Sequence, residues 1–277
     1  MNNPSPERLN LAELADRYDA LLIDAYGVLV DGSGAIAGAP EAVRDLNTRK
    51  KTWLVLTNDA SRYPETSVAR YTRFGLDVRA DQIVTSGSLL APYFEEMGLR
   101  GLPTVVLGPE DSHRYAREAG ADIIPAGGDA QVLVVGDDAG FPFLETVEAV
   151  LSALFRRLDD GQPVHLVLPN PDLIYPKGGG EFGLTAGSIA LIVEEALSQR
   201  YPDRGDLRFA RLGKPFPPIY EAAMARLGTR NVCMVGDQLA TDVAGALRVG
   251  IDAALVSGGV GRYTPGAALV PTYLVTL

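Results

Sequence analysis

The sequence has few of the residues on which several classes of protein depend. Its 277 residues include one cysteine, Cys233, and two histidines, His113 and His165. A lone cysteine excludes an internal disulfide and a cysteine-rich zinc site, so a reducing compartment is the simplest expectation. Two isolated histidines argue against a histidine-based zinc site and against a Ser-His-Asp hydrolase.

Basic charge and long apolar runs are also scarce. The 25 Lys and Arg residues are outnumbered by 35 Asp and Glu, which gives a net charge of -10 and argues against a nucleic-acid partner. No apolar run approaches the roughly 18–20 residues that span a membrane, so no membrane partner is expected. The first residues show neither the basic nor the apolar region of a secretory signal. We therefore expect a globular cytoplasmic protein.

Short β-rich runs alternate with helical patterns along most of the chain. Eight buried strands are predicted, at Ala20–Ile23, Trp53–Leu56, Gln82–Val84, Thr104–Leu107, Val132–Val135, Val164–Leu168, Val232–Val235 and Ala253–Val256. Seven helices are predicted between them, at Pro40–Lys50, Pro64–Phe74, Ser112–Ala119, Leu144–Leu158, Thr185–Gln199, Pro218–Leu227 and Ala240–Val249. Such alternation predicts an α/β fold with a mainly parallel sheet, whose ligands bind beyond the carboxyl ends of the strands.

Two segments interrupt this pattern and divide the chain. Ser86-Gly87-Ser88 follows the third predicted strand, and the polar stretch from Arg200 to Leu207 breaks the helical period. The chain between them carries strands and helices of its own, roughly enough for a domain. We therefore predict a core domain from residues 1–86 and 206–277, with an inserted domain at 87–205.

Carboxylates follow the predicted strands at both ends of the chain. Asp24 ends the first strand, and Asp237 and Asp242 flank a short loop after the strand at 232–235. Asp24 and Asp242 could simply cap a turn or a helix. Three acids at one sheet edge would repel one another without a cation, and Mg²⁺ suits a few carboxylates together with water.

Two further segments could bind the oxygens of a phosphate group. Thr57 and Asn58 end the second strand with a hydroxyl, an amide and backbone N–H groups, and Lys214 lies between Gly213 and Pro215 just before a helix. Taken singly, Thr-Asn is also a common turn and a lysine is usually solvated. In this order and setting, the segments support one another.

Together these segments resemble the four ordered motifs of the haloacid dehalogenase-like (HAD) hydrolase superfamily. The matching residues are Asp24, Thr57-Asn58, Lys214-Pro215 and Gly236-Asp237-x4-Asp242. The insertion resembles that superfamily's type II cap, and Pro169-Asn170-Pro171-Asp172 with Leu184–Ile189 is similar to the NagD-like class IIA branch, the predicted sugar phosphatases. The resemblance covers nearly the whole chain. It implies a Rossmann-like parallel-sheet core with an inserted α/β cap domain that sets substrate specificity.

The resemblance also implies a mechanism and a site. Asp24 would be the nucleophile that takes up the phosphoryl group of a small phosphorylated metabolite, such as a sugar phosphate. Mg²⁺ would be bound by Asp24, the carbonyl of Tyr26, Asp237 and Asp242, the last through water or as a supporting partner. Thr57, Asn58 and Lys214 would hold the transferring oxygens. Asn170 and Asp172 on the cap would face the leaving group, and the cap could also form a homodimer.

Tyr26 departs from the pattern of the phosphatases in this superfamily. They carry a second Asp at this position, which protonates the leaving oxygen and later activates water, and a phenol does this poorly. Asp-Ala-Tyr-Gly resembles the first motif of the haloacid dehalogenases, so a dehalogenase is an alternative, although those enzymes lack the acid pair Asp237 and Asp242. A second alternative is a catalytically impaired protein that binds a phosphorylated metabolite without turning it over. Asp59 also departs from the pattern, since class IIA members often have an Asn at this position. It could cap the next turn, or it could weaken phosphate binding by repulsion between like charges.

Overall fold

A computed structural model describes residues 5–178, 181–257 and 261–277 of the chain. Its strands are β1 (Glu7–Asn10), β2 (Ala20–Ile23), β3 (Thr52–Thr57), β4 (Ile83–Thr85), β5 (Pro103–Leu107), β6 (Asp122–Ile123), β7 (Val132–Val135), β8 (His165–Leu168), β9 (Ile174–Gly178), β10 (Glu181–Leu184), β11 (Ala210–Arg211), β12 (Val232–Gly236), β13 (Asp252–Val256) and β14 (Tyr273–Thr276). Its α-helices are α1 (Leu11–Arg17), α2 (Ala39–Thr48), α3 (Pro64–Arg73), α4 (Leu90–Glu96), α5 (Glu110–Glu118), α6 (Phe143–Asp159), α7 (Ala186–Arg200), α8 (Pro217–Leu227) and α9 (Ala244–Arg248).

The larger sheet positions the candidate site. Its seven described strands run parallel in the order β1-β14-β13-β12-β2-β3-β4. Every residue of β2 is buried, because helices cover both faces of a parallel sheet. β2 pairs with β12 on one side and with β3 on the other. The loops after these three strands therefore emerge side by side at one edge of the sheet.

A second parallel sheet lies within the predicted insertion. Its order is β11-β8-β7-β5-β6, and none of its described strands pairs with the larger sheet. β11 belongs to it although Ala210–Arg211 lies beyond the predicted boundary at residue 205. The two-residue strand was missed because it is too short to show a pattern. We propose that the cap domain extends to Arg211 and that the core resumes before Lys214.

The two sheets are connected by packing as well as by chain. One cluster of buried apolar side chains contains Leu56 and Tyr220 from the core together with Val106 and Val134 from the second sheet. Phe94 of α4 is fully buried in this cluster. The antiparallel hairpin β9–β10 also reaches the core, because a Cβ at Gly32 would lie 2.0 Å from the carbonyl oxygen of Lys177. Only a residue without a side chain permits so close an approach.

The predicted α/β fold is confirmed, with a strand at each of the eight predicted places. The single helix predicted at Ala240–Val249 is wrong, since a π-helix at Leu239–Val243 precedes the short α9. The prediction also missed β1 and β14 at the sheet edge and the helix α1, although Asn10 and Glu13 form a capping box there. None of the helices in the described part of the chain has the length and hydropathy needed to cross a bilayer.

We predict that Phe94→Ala lowers the free energy of unfolding by about 3–5 kcal/mol, because it opens a cavity where both domains pack together. Urea denaturation followed by circular dichroism measures the effect. Phe143→Ala is the matched control, since the Phe143 side chain is 41% exposed. Equal destabilisation by the two substitutions would contradict the assignment of Phe94 to a shared core.

Candidate active site

Three buried carboxylates converge at the carboxyl edge of the core sheet. Asp24 follows β2, Asp237 follows β12, and Asp242 lies in the π-helix. One oxygen of each carboxylate lies within 4.8 Å of those of the other two. The structure thus brings together the three acids that the sequence analysis selected.

Lys214 lies inside this cluster and offsets part of its charge. Its Nζ is 2.7 Å from Oδ1 of Asp24 and 2.7 Å from Oδ1 of Asp242. Burial alone would lower the pKa of the lysine, but the two carboxylates outweigh it and raise that pKa, so the ammonium stays charged. Burial, opposed by Lys214 and reinforced by Asp242 and Asp237, raises the pKa of the Asp24 carboxyl.

Two glycines and the π-helix allow the carboxylates to approach so closely. Gly27 has φ of 88°, and a Cβ there would lie 2.2 Å from Oδ2 of Asp237. A Cβ at Gly236 would lie 2.2 Å from Cγ of Asp242. The wider π turn lets Asp242 fold back, so that its Oδ2 accepts a hydrogen bond from the N–H of Gln238 at 3.1 Å.

Asn58 contacts the lysine segment with both ends of its amide. Its Oδ1 accepts from the N–H of Lys214 at 2.7 Å, and its Nδ2 donates to the carbonyl of Lys214 at 3.0 Å. These contacts fix the backbone from which the Lys214 side chain extends. Thr57 is buried at the end of β3, where its Oγ1 accepts from the N–H of Asp59 at 3.2 Å. Their predicted contacts with phosphate oxygens stay predictions.

The cap loop that holds Asn170 and Asp172 presses against this lysine segment. Nδ2 of Asn58 also donates to Oδ1 of Asp172 at 2.9 Å, and Asn170 Oδ1 accepts from the N–H of Asp172 at 3.0 Å. A Cβ at Gly213 would lie 2.6 Å from the carbonyl oxygen of Pro169, so the glycine makes room for the loop. Both cap residues line the candidate cavity, and their predicted role toward a leaving group stays a prediction.

Asp59 and Tyr26, the two residues that depart from the family pattern, both have defined contacts in the structure. Asp59 caps the turn that follows it, with Oδ1 accepting from the N–H of Ser61 at 2.8 Å, and it pairs with Arg62 at 3.0 Å. Its charge is thereby offset. Tyr26 lies at the cavity wall, where its hydroxyl accepts a hydrogen bond from Arg70 and its ring contacts Tyr175 edge-on.

A cavity of about 670 Å³ opens between the core and the cap above the carboxylates. It is also lined by residues that the sequence analysis did not select: Arg62, Arg70, Arg73, Asp137, Asp138, Tyr175 and Lys177. Asp137 and Asp138 follow β7 after Gly136, much as Asp237 follows an apolar run after Gly236, so the sequence held a signal for them. The sequence held no such signal for Arg70 and Arg73 on α3 or for Lys177 on β9, because basic residues are common on the surfaces of helices and hairpins.

The carboxylate cluster fits a divalent cation. With all four groups ionised, Lys214 leaves two negative charges of Asp24, Asp237 and Asp242 uncompensated in a buried place. Carboxylate oxygens are the donors that hard divalent cations such as Mg²⁺ prefer. The predicted ligand from the Tyr26 carbonyl lies in the same loop as Gly27, which closely approaches Asp237.

Comparisons with known proteins agree with this architecture. A family model described as haloacid dehalogenase-like hydrolase matches residues 21–122, and a second, described as HAD-hydrolase-like, matches residues 211–276. The chain is 30% identical to human chronophin over 97% of its own length and 95% of the relative's. It is also 28% identical to an acid sugar phosphatase from Staphylococcus aureus, with 88% of each chain covered.

A solved structure shows the same fold. The crystal structure of a possible sugar phosphatase from Cytophaga hutchinsonii superimposes with a TM-score of 0.83 at 27% identity, and 98% of each chain is covered. The protein described here therefore belongs to the haloacid dehalogenase-like hydrolase superfamily, in its NagD-like class IIA branch. It is a hydrolase of that superfamily.

We predict that the Asp172 carboxyl makes stability depend on pH. Burial, opposed by Lys214 and by the hydrogen bond from Asn58, raises its pKa to about 6. Because the folded state holds this proton more tightly than the unfolded chain, the stabilisation is fully present below about pH 4. It is lost as the pH rises toward 6.

Urea denaturation between pH 4 and 7, with EDTA present, tests this expectation. The free energy of unfolding of the wild type, relative to Asp172→Asn, should fall by about 2 kcal/mol across that range. Asp203→Asn, at an exposed aspartate, is the control. A difference that stays constant with pH would show that Asp172 does not titrate in this window.

Proposed function

We propose that the protein is a Mg²⁺-dependent phosphoric monoester hydrolase that forms an aspartyl-phosphate on Asp24. The convergence of Asp24, Asp237 and Asp242 around Lys214 carries the proposal. Phosphoryl transfer asks the protein mainly to position the reactants and to neutralise charge, and this cluster is suited to both. The matching relatives include chronophin and an acid sugar phosphatase, which supports the same reaction class.

In the first step, a carboxylate oxygen of Asp24 attacks phosphorus and the ester P–O bond breaks. A bound Mg²⁺, held by Asp24, the Tyr26 carbonyl, Asp237 and Asp242, would neutralise the charge of the attacking and transferring oxygens. Lys214 contacts Asp24 Oδ1 at 2.7 Å and so directs a positive charge toward the phosphoryl group. Thr57 and Asn58 lie beside it at the end of β3, where their polar groups would orient the phosphoryl oxygens.

The leaving alkoxide needs a proton, and water must later hydrolyse the aspartyl-phosphate. Tyr26 stands where a phosphatase of this superfamily carries an Asp for both tasks. Its hydroxyl accepts a hydrogen bond from Arg70, which leaves its own proton available to a leaving oxygen. A neutral phenol is nevertheless a poor base toward water. We therefore propose that hydrolysis of the aspartyl-phosphate limits turnover.

We propose small phosphorylated metabolites, sugar phosphates among them, as the substrates. The cavity of about 670 Å³ holds a molecule of this size, and the cap contributes Asn170, Asp172 and Tyr175 to its wall. Because the chain has a net charge of -10, a small anionic substrate must be bound by a few local cations. A homodimer formed through the cap stays a prediction.

The dehalogenase alternative has one observation in its favour, the Tyr at position 26. The acid pair Asp237 and Asp242 in contact with the Asp24–Lys214 pair favours metal-dependent phosphoryl transfer instead. Release of halide without Mg²⁺ would identify a dehalogenase. Tight binding of a phosphate ester with no turnover would identify a binding protein.

We predict that phosphate release from an aryl phosphate requires both Asp24 and Mg²⁺. EDTA should abolish activity and added Mg²⁺ should restore it, and Asp24→Asn should lower kcat by about 10³-fold or more. Calorimetry should show Mg²⁺ binding weakened by Asp237→Asn, independently of activity. Asp203→Asn is the control, and an Asp24→Asn variant with wild-type activity would exclude the aspartyl-phosphate.

We predict that Tyr26→Asp raises the turnover of alkyl phosphates by about 10²-fold, because a carboxyl group restores the missing acid and base. The gain in kcat/KM, which reports the first step, should be smaller for aryl phosphates, since their leaving groups need less protonation. Burst kinetics with Mg²⁺ should show aspartyl-phosphate accumulating in the wild type. Tyr26→Phe, which removes only the hydroxyl, is the matched comparison.

Fast wild-type turnover of an alkyl phosphate, with no gain in Tyr26→Asp, would contradict this account of Tyr26. Another group would then supply the proton.

A further inference from the structure

The cavity wall includes three basic side chains outside the cluster of Asp24 and Lys214. Arg70 and Arg73 on α3 and Lys177 on β9 all line the cavity. Among the described residues, none of the three forms a salt bridge. In a chain with a net charge of -10, three such cations around one cavity favour an anionic ligand.

Arg70 is held in place by groups that do not neutralise it. Its Nη1 donates to the hydroxyl of Tyr26, and its Nη2 donates to the carbonyl of Asp31 at 3.0 Å. Its Cζ lies 4.8 Å from the ring centre of Tyr26 and 5.4 Å from that of Phe74. A guanidinium has five N–H groups, so others are left for a ligand.

The same loop of the core connects Arg70 with Lys177. Arg70 donates to the carbonyl of Asp31, and the backbone of Lys177 approaches the next residue, Gly32. The Asp31 carboxylate is directed to Ser33, whose N–H and hydroxyl each donate to it at 2.7 Å. Arg70 and the backbone of Lys177 therefore meet the same loop at the cavity wall, where Arg70 also contacts Tyr26, two residues after Asp24.

The acidic residues Asp59, Asp137 and Asp138 also line the cavity, but their contacts are with other groups or they lie on the cap loop. Asp59 is paired with Arg62 at 3.0 Å. Asp137 accepts from the N–H of Ala139 at 3.0 Å, and Asp137 and Asp138 lie on the loop after β7 of the cap. Among the described residues, none of these acids forms a salt bridge with Arg70, Arg73 or Lys177.

We propose that Arg70, Arg73 and Lys177 bind a second anionic group on the leaving-group side of the substrate. This proposal rests on the proposed phosphatase function and narrows it. The preferred substrates are phosphate monoesters whose leaving group carries a carboxylate or a second phosphate. Arg70 supplies the oriented guanidinium, which suits planar or tetrahedral oxyanions, and the two more exposed cations add charge.

Kinetics on a matched three-carbon series test the substrate class. Phosphoglycerate and glycerol bisphosphate should have kcat/KM values at least about 10-fold above that of glycerol phosphate. A gain with phosphoglycerate alone identifies a carboxylate site, and a gain with the bisphosphate alone identifies a phosphate site. Equal values for all three substrates would overturn the proposal.

Substitutions then locate the subsite. Arg70→Gln should reduce the preference for the second anion to about one, and Arg73→Gln and Lys177→Gln should reduce it in part. Arg70→Lys, which keeps the charge, should retain part of the preference. Arg44→Gln, at an exposed arginine on α2 outside this cavity, is the control. A preference that survives Arg70→Gln, Arg73→Gln and Lys177→Gln would overturn the assignment.

Binding to an Asp24→Asn variant separates this proposal from the proposed function. Calorimetry with the same three esters needs no turnover. Tighter binding of phosphoglycerate or glycerol bisphosphate, lost in the Asp24→Asn/Arg70→Gln double variant, supports the subsite even if the wild type hydrolyses none of them. Equal affinities would overturn the subsite even where the wild type is an active phosphatase.

Discussion

The ion pairs of Lys214 with Asp24 and Asp242 are the contacts on which the rest of the site depends. They bring loops from two different strands and from the segment before α8 to one buried point. Buried charges are tolerated only when they are paired, and removing one partner leaves the other charges uncompensated. Asn58 holds the lysine backbone by two hydrogen bonds, so the end of β3 is drawn into the same cluster. The edge of the sheet is therefore organised by charge as well as by packing.

The same lysine segment connects the carboxyl edge of the core sheet to the cap. Asp172 bonds to Asn58, and Gly213 makes room for the loop that begins at Pro169. The hairpin β9–β10 reaches the core separately, at Gly32. Residues from both contacts line the cavity, so its wall is built by groups from both domains. For the proposed function, the core would supply the chemistry and the position of the cap would set the specificity.

Tyr26 lies between the carboxylate cluster and the cationic residues of the cavity wall. It occupies the position of an acid in related phosphatases, and its hydroxyl is bound by Arg70 rather than by a carboxylate partner. Arg70 in turn contacts the loop at Asp31, beside the hairpin residue Lys177. A change at one position of the first motif is thereby linked to a cationic cavity wall. With a phenol in the place of an acid and the Arg70 guanidinium in contact with it, this loop carries less negative charge, which supports the proposed binding of a second anion.

The local sequence determined eight of the strands and the position of Asp24, Asp237 and Asp242, because buried strands are apolar and polar residues mark where they end. It also showed the departure at Tyr26, since a motif is read residue by residue. Only the tertiary structure decided that Asn58 supports Lys214, that β11 belongs to the cap sheet and that a π turn carries Asp242. It alone placed Arg70, Arg73 and Lys177 on one cavity. Apart from the local π turn, these features depend on contacts between segments far apart in the chain, and such contacts leave no periodicity or spacing in the sequence.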